Sequence, residues 1–384
     1  MSAMPPLATD MGLPALGHIA ASLRTTPGLS ALTISLFMAG FSATPLLYGP
    51  LSDRIGRKPV LIAGLGLFAL ASLLCAISTS ITMLLVARLL EGAGAGAGIT
   101  IALAIVRDLF SGSAARTRMS LVTMVLNIAP VIAPTLGAAI LAFAGWRAIF
   151  ASLAIIAALV VLASLLGYAE SRQVQPGQAQ ASLLSGYPQL FRSRAAIGHI
   201  LIFGCGFGCA FAYISGSSLV LIGLYRITPT AYGLLFACTA LGIVAGAAMN
   251  GWLSARGTHH LPLLPISIAC MIAVTLLLCV LALSGPVPLG LLMPLFILVT
   301  FCFGVLAPNA SHGALEPIPA IAGVAGGVLA SFQMICATVS SLLVSLLFAG
   351  FGLGAVTTVM LLFALTTGAA LLILPHRRQA ARSA

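Results

Sequence analysis

Three ionisable side chains, Asp10, Arg88 and Glu91, stand inside apolar stretches of this sequence. Burying such a group in a bilayer costs about 3 kcal/mol on insertion scales, so an intramembrane charge points to function. A carboxylate in a low-dielectric cavity has its pKa raised and can load and release a proton near neutral pH. Asp10 has no partner within its own helix, which suits proton carriage. The other reading places it at the membrane edge, because only nine residues precede it, about 14 Å of helix. Helix 1 is therefore expected to be short, or the chain to begin at an internal start site. Arg88 and Glu91 are three apart and can pair on one helical face. They read either as members of the proton-coupling set or as a structural intrahelical salt bridge.

A second cluster packs Asp53, Arg54, Arg57 and Lys58 into six residues of a chain that is only 6% charged. Apolar runs flank it, at 29–48 and 59–78. Gly49, Gly56, Pro50 and Pro59 suit a tight turn between two membrane helices. Asp108, next to Arg107, is placed on the same side by the helix map below. The expectation is an ion-pair latch between Asp108 and Arg54 or Arg57, made when the molecule opens outward and broken when it faces in. The alternative is a solvated pair worth under about 1 kcal/mol.

The elements that position these residues are membrane spans. The chain has 384 residues, 60% of them hydrophobic, and a mean hydropathy of +1.17. Soluble domains are about 25% charged, so a soluble fold is excluded. At roughly 20 residues per span, short loops leave room for about twelve helices, all-α. They are predicted at 2–21, 29–50, 58–78, 81–106, 119–143 and 147–168, then at 196–222, 231–253, 261–284, 288–312, 321–349 and 352–374. The polar stretch from Glu170 to Arg194 divides the chain into a first half (1–168), a linker (169–195) and a second half with a basic tail (196–384).

The net charge of +11 would suggest nucleic acid in a soluble chain. Here the cations fall at helix ends and read as topology signals and headgroup anchors, with no nucleic-acid partner. On one side lie Arg54, Arg57, Lys58, Arg107, Arg116, Arg118, Arg172, Arg192, Arg194, Arg256, Arg377, Arg378 and Arg382; on the other only Arg24, Arg147 and Arg226. Short loops rich in Lys and Arg stay in the cytoplasm, which puts both termini there. Residues 1–9 carry no basic stretch of a cleavable signal. The eight cysteines all lie in apolar runs, and no Cys/His set has metal spacing, so buried packing is expected of them. Gly92, Gly94, Gly96 and Gly98 are followed by no lysine and read as close helix packing rather than a phosphate loop. Neither a catalytic constellation nor a cofactor motif is visible, so no enzyme and no cofactor are expected.

There is also an internal repeat. Gly49-x-Leu51-Ser52-x-Arg54 recurs as Gly251-x-Leu253-Ser254-x-Arg256, and Thr26-Pro27 recurs as Thr228-Pro229, both at an offset of 202. A duplicated six-helix unit follows, and parallel halves of this kind hold the substrate between them near the midplane. The second copy has Ala255 in place of Asp53.

Gly49 to Lys58 resembles, without a gap, the signature loop between helices 2 and 3 of the major facilitator superfamily. Thr9-Asp10-Met11-Gly12-Leu13-Pro14-Ala15-Leu16 resembles the helix 1 motif T-D-M-Y-L-P-A-L of Bcr/CflA-type drug exporters in the drug:proton antiporter group, with Gly12 at the usual Tyr. Arg88-Leu-Leu-Glu91-Gly92-Ala-Gly94-Ala resembles their helix 4 motif R-x-x-Q-G-x-G-A, with Glu91 at the usual Gln. Asn127, Pro130, Pro134 and Gly137 partly match the helix 5 antiporter motif, where prolines four apart can kink a helix at a hinge. The resemblance implies twelve helices that alternate access by rocking, Arg88 in proton coupling, and a bacterial inner membrane. It further implies export of amphipathic drugs of the phenicol or bicyclomycin kind, driven by the proton gradient and carried out by a monomer. Its partners would be a small-molecule substrate, protons and the lipid bilayer. An uncoupled facilitator or an importer of a small metabolite is the alternative on the same fold. Met11, Met124, Tyr213, Asn250, Asn309 and Gln333 are candidates to line the substrate cavity.

Overall fold

The structure is a computed structural model that describes residues 1–168, 170–171, 186–256, 262–318 and 321–374; for 113, 115, 116, 127, 186 and 322 it describes the backbone alone. Arg172, Gln173, Gln175, Gln178, Gln180 and the tail cations Arg377, Arg378 and Arg382 lie outside the described residues, as does the side chain of Arg116.

Helices account for all the regular structure among those residues. Helix 1 is split into α1 (Met4–Asp10) and α2 (Leu16–Ser22), joined through a 3-10 turn at Leu13–Ala15. Helix 2 is also in two pieces, α3 (Pro27–Ser42) and α4 (Thr44–Ile55), with Pro45 in the first turn of the second piece. Then follow α5 (Arg57–Ala76), α6 (Ile81–Leu109), α7 (Gly112–Ala144) and α8 (Trp146–Gly167). After the short α9 (Gly186–Arg192) come α10 (Arg194–Ser218), α11 (Pro229–Ala255), α12 (Leu263–Ser284), α13 (Leu289–Leu315), α14 (Ala322–Phe351) and α15 (Leu353–Ala370). Eleven segments among the described residues are long and apolar enough to cross a membrane; the broken helix 1 is the twelfth.

Two boundaries differ from the sequence expectation in an informative way. Gly49 and Pro50 lie inside α4, and the whole turn is made at Gly56, whose φ of +98° is open to glycine at little cost. Within the polar linker, α9 docks by burying Leu190 against Ala196, Ile200, Ala314 and Ile318. That segment is polar in composition but amphipathic in fact.

The repeat is physical. Thr26 and Thr228 each cap their helix by accepting an N–H bond, from Leu29 at 3.2 Å and Ala231 at 3.3 Å, and each is followed by a proline at the first helical position. Arg24 (φ 50°) and Arg226 (φ 57°), again 202 apart, are the two non-glycine residues with positive φ among the described residues. Helices before the linker pack largely among themselves, α6 against α3 and α5, and α5 against α8; those after it do likewise, α10 against α13, α14 and α15. The two sets meet along α3–α14 and α7–α11.

The end of the bundle that carries Arg54, Arg57, Lys58 and Arg107 is called the basic end below. Toward the opposite, far end the sets approach closely. Ser35 Oγ donates to Ser341 Oγ at 2.8 Å, both buried. A Cβ added at Gly28 would fall 2.6 Å from the Ser345 carbonyl oxygen.

Candidate functional site

Asp10 is the last residue of α1 and is buried, 5% exposed, in the helix 1 interruption. Gly12 and Pro14 explain the break: one lacks a side chain to hold the turn, and the other cannot donate to it. The 3-10 turn after Asp10 touches both α10 and α11 of the second half, and Tyr232 of α11 lies within electrostatic reach of the carboxylate. No hydrogen bond or ion pair to Asp10 is present among the described residues. It is a buried acid without a partner.

Arg88 and Glu91 are the opposite case. Their ion pair spans 2.5 Å, with side chains 3% and 0% exposed. Glu91 Oε1 accepts from Ser72 of α5 at 2.7 Å. Arg88 Nε reaches the Thr33 carbonyl of α3 at 3.3 Å, and its guanidinium lies over Phe37 (4.4 Å) and faces Phe150 of α8 at 5.6 Å. One residue pair thus joins four helices of the first half, and its charges are compensated on every side. No bond connects it to Asp10. Thr9 and Arg88 border a common void of about 10 Å³, next to Gly12, the size of one water.

At the basic end Arg57 is the hub. Its Nη2 meets Asp53 at 2.8 Å, its Nε meets Asp108 at 2.8 Å, and its Nη1 donates to Ser52 at 2.6 Å. Arg57 itself is 6% exposed, so this is no solvated surface pair. Arg54 and Arg107 stand exposed at the rim. Glu170, which sequence reasoning left in the linker, bonds the backbone of Arg57 and Lys58. The available signal was scarcity, since the chain holds six acidic residues in all. The latch is made while the far ends of the halves still bond through Ser35 and Ser341. All of its members belong to helices 2, 3 and 4, so it ties the first half to itself.

Pro130 and Pro134 lie inside an uninterrupted α7, and the side chain of Asn127 is outside the described residues. Gly137 seats α7 directly against the Met11 carbonyl, a place a Cβ would fill. Of the cavity candidates, Met124 lines an apolar cleft of about 450 Å³ between α1 and α7, with Leu7, Leu121 and Ile128. Met11 and Tyr213 are buried in the core, 3% and 1% exposed. Tyr213 is held there by Phe236, Phe296 and a 3.1 Å bond from Thr239. Asn309 donates to Asn250 at 2.6 Å, tying α13 to α11. Gln333 is half-buried on α14.

A bundle of membrane helices, apolar outside, with one unpartnered acid at the seam between two repeated halves, defines a membrane transporter. The sequence profile of the Major Facilitator Superfamily matches residues 4–341. The chain belongs to that superfamily, and it is a transporter rather than an enzyme. Among its relatives, the MFS-type transporter YdgK of Bacillus subtilis is 33% identical over 89% of this chain and 85% of its own length. A chloramphenicol resistance protein of Pseudomonas aeruginosa is 28% identical over 89% of this chain and 81% of its own. Others are named multidrug and bicyclomycin resistance proteins, in keeping with the Bcr/CflA resemblance of the helix 1 and helix 4 motifs. The crystal structure of the nucleoside transporter NupG shares the fold, with a TM-score of 0.73, 15% identity and coverage of 97% of this chain and 98% of that one.

Proposed function

We propose that this protein exports amphipathic drugs of the phenicol or bicyclomycin kind, driven by protons moving inward, with alternating access between its two halves. The substrate class is supported by the names that its relatives carry. Proton coupling is supported by one observation above the rest: Asp10 is a buried carboxylate with no compensating partner, on a helix break that touches the opposite half. A charge there is unfavourable in the closed packing, so taking up a proton biases the halves toward one facing. That differential is what coupling requires. The Arg88–Glu91 pair holds the helices around this site and completes the proposed proton-coupling set. The basic end faces the cytoplasm in this reading, both termini lie there, the host membrane is a bacterial inner membrane, and the carrier works as a monomer.

The test uses everted vesicles carrying the full chain under an imposed pH gradient. Chloramphenicol is added and lumenal pH is followed. Drug-evoked proton movement is expected in the wild type and absent in Asp10→Asn. Equal proton movement in both would refute the assignment of Asp10, and drug flux indifferent to the gradient would leave an uncoupled facilitator.

A further inference from the structure

Of the six acidic residues in the chain, Glu170 stands just beyond the end of α8. Its carboxylate is divided between two backbone donors: Oε1 accepts from the Arg57 N–H at 2.9 Å and Oε2 from the Lys58 N–H at 2.9 Å. These are the first two residues of α5, whose amides have no acceptor within their own helix. The dipole there favours an anion. Lys58 answers in the other direction. Its Nζ donates to the Leu165 carbonyl at 3.0 Å, in the last turn of α8. That carbonyl is likewise an orphan, and the dipole at that end favours a cation. Gly56 makes room for the arrangement, because a Cβ on it would lie 2.6 Å from Glu170 Oε2.

Two helix ends thus exchange charged caps. We propose that Glu170 and Lys58 are positioning residues that form a reciprocal clasp between the start of α5 and the end of α8. The clasp fixes the backbone of Arg57, whose side chain can then reach Asp53 and Asp108 together, and it anchors the beginning of the linker to the first half. A carrier without it binds substrate as before but changes facing more slowly, since the helices that must move together no longer do. The inference rests on the transport reading for its flux measurement alone.

The experiment is hydrogen exchange read by mass spectrometry on the full chain in lipid nanodiscs. In Glu170→Ala the amides of residues 57 and 58 are expected to exchange at least fivefold faster, with peptides of α12 and α13 unchanged. Unchanged protection at 57 and 58 overturns the clasp. The double exchange Glu170→Lys with Lys58→Glu separates it from an ordinary ion pair. A side-chain pair would be restored by the exchange, whereas caps on helix ends become doubly mismatched, so restored protection also overturns the proposal. Lys58→Met, which keeps the length without the charge, is expected to lower the maximal rate of chloramphenicol export about threefold with its Kd unchanged. A fall in affinity with no fall in rate counts against a positioning role. Lost protection in Glu170→Ala together with no flux in the wild type upholds the clasp and refutes the drug-export reading instead.

Discussion

Before the linker, the tie at the basic end is a guanidinium held by two carboxylates, Arg57 at 2.8 Å from both Asp53 and Asp108. After it, the corresponding region has Asn309 donating to Asn250 at 2.6 Å, and Arg256 stacks on Trp252 at 3.8 Å with no acid beside it. The same contrast holds in the core. The first half joins its helices through Arg88 and Glu91, the second through hydroxyls, with Thr300 bonding the Thr239 carbonyl at 2.9 Å and Ser217 bonding Tyr232 at 2.9 Å. Beyond the linker the sequence has a single acidic residue, Glu316. Helix geometry has thus been kept through the duplication, down to the Thr-Pro caps, while the means of joining helices has diverged. Charged joints are strong when whole and costly when cut; neutral ones are weaker on both counts.

That difference gives a ranked set of expectations for stability, measured by thermal or denaturant unfolding of the full chain in detergent. Glu91→Ala leaves Arg88 buried without its counter-charge, and is expected to lose about 3–5 kcal/mol. Arg57→Ala leaves Asp108 partly buried without its counter-charge, with a loss of about 1–3 kcal/mol. A smaller cost at either site than at the second-half joint would break the comparison. Asn309→Ala removes two neutral bonds, to Asn250 and to the Val305 carbonyl, and is expected to lose about 1 kcal/mol. Arg256→Ala touches only a cation–π contact at an exposed site, worth about 0.5–1 kcal/mol. Arg24→Gly and Arg226→Gly sharpen the other side of the picture: each removes a left-handed strain of about 1–2 kcal/mol, offset in part by the freedom of glycine in the unfolded chain. They should give small, similar gains, because that corner is shared by both halves.

Much of the fold was legible in the sequence because membrane spans are set by length and hydropathy alone. Eleven spans and the Thr26 and Thr228 helix starts fell where expected. The break after Asp10 was only half legible: Gly12 and Pro14 stand in the sequence, but the seating of the Met11 carbonyl against Gly137 does not show there. Such contacts are long-range and leave no local period. Gly49 and Pro50 carried a turn composition yet stayed helical, since the one positive φ needed was met at Gly56. At the site, the residue types and two of the ion pairs were readable. Arg88 with Glu91 followed from spacing, and Asp108 with Arg57 from placement at one end. Glu170 was hidden by a separation of 113 residues from Arg57. Helical rotation is invisible in one sequence, so the burial of Met11 and Tyr213 was not legible either.

The glycines of α6 carry a last consequence. Added carbons at Gly92, Gly94 and Gly96 would strike the Phe37 carbonyl of α3, the Phe68 amide of α5 and the Thr44 side chain of α4. The two pieces of helix 2 press on one face of α6 and α5 on another, and no residue is smaller than glycine. This stretch is closed to mutational exploration. Descendants of this chain that acquire new cargo must find their variation elsewhere, on surfaces such as the Met124 cleft between α1 and α7, where side chains have room to change size.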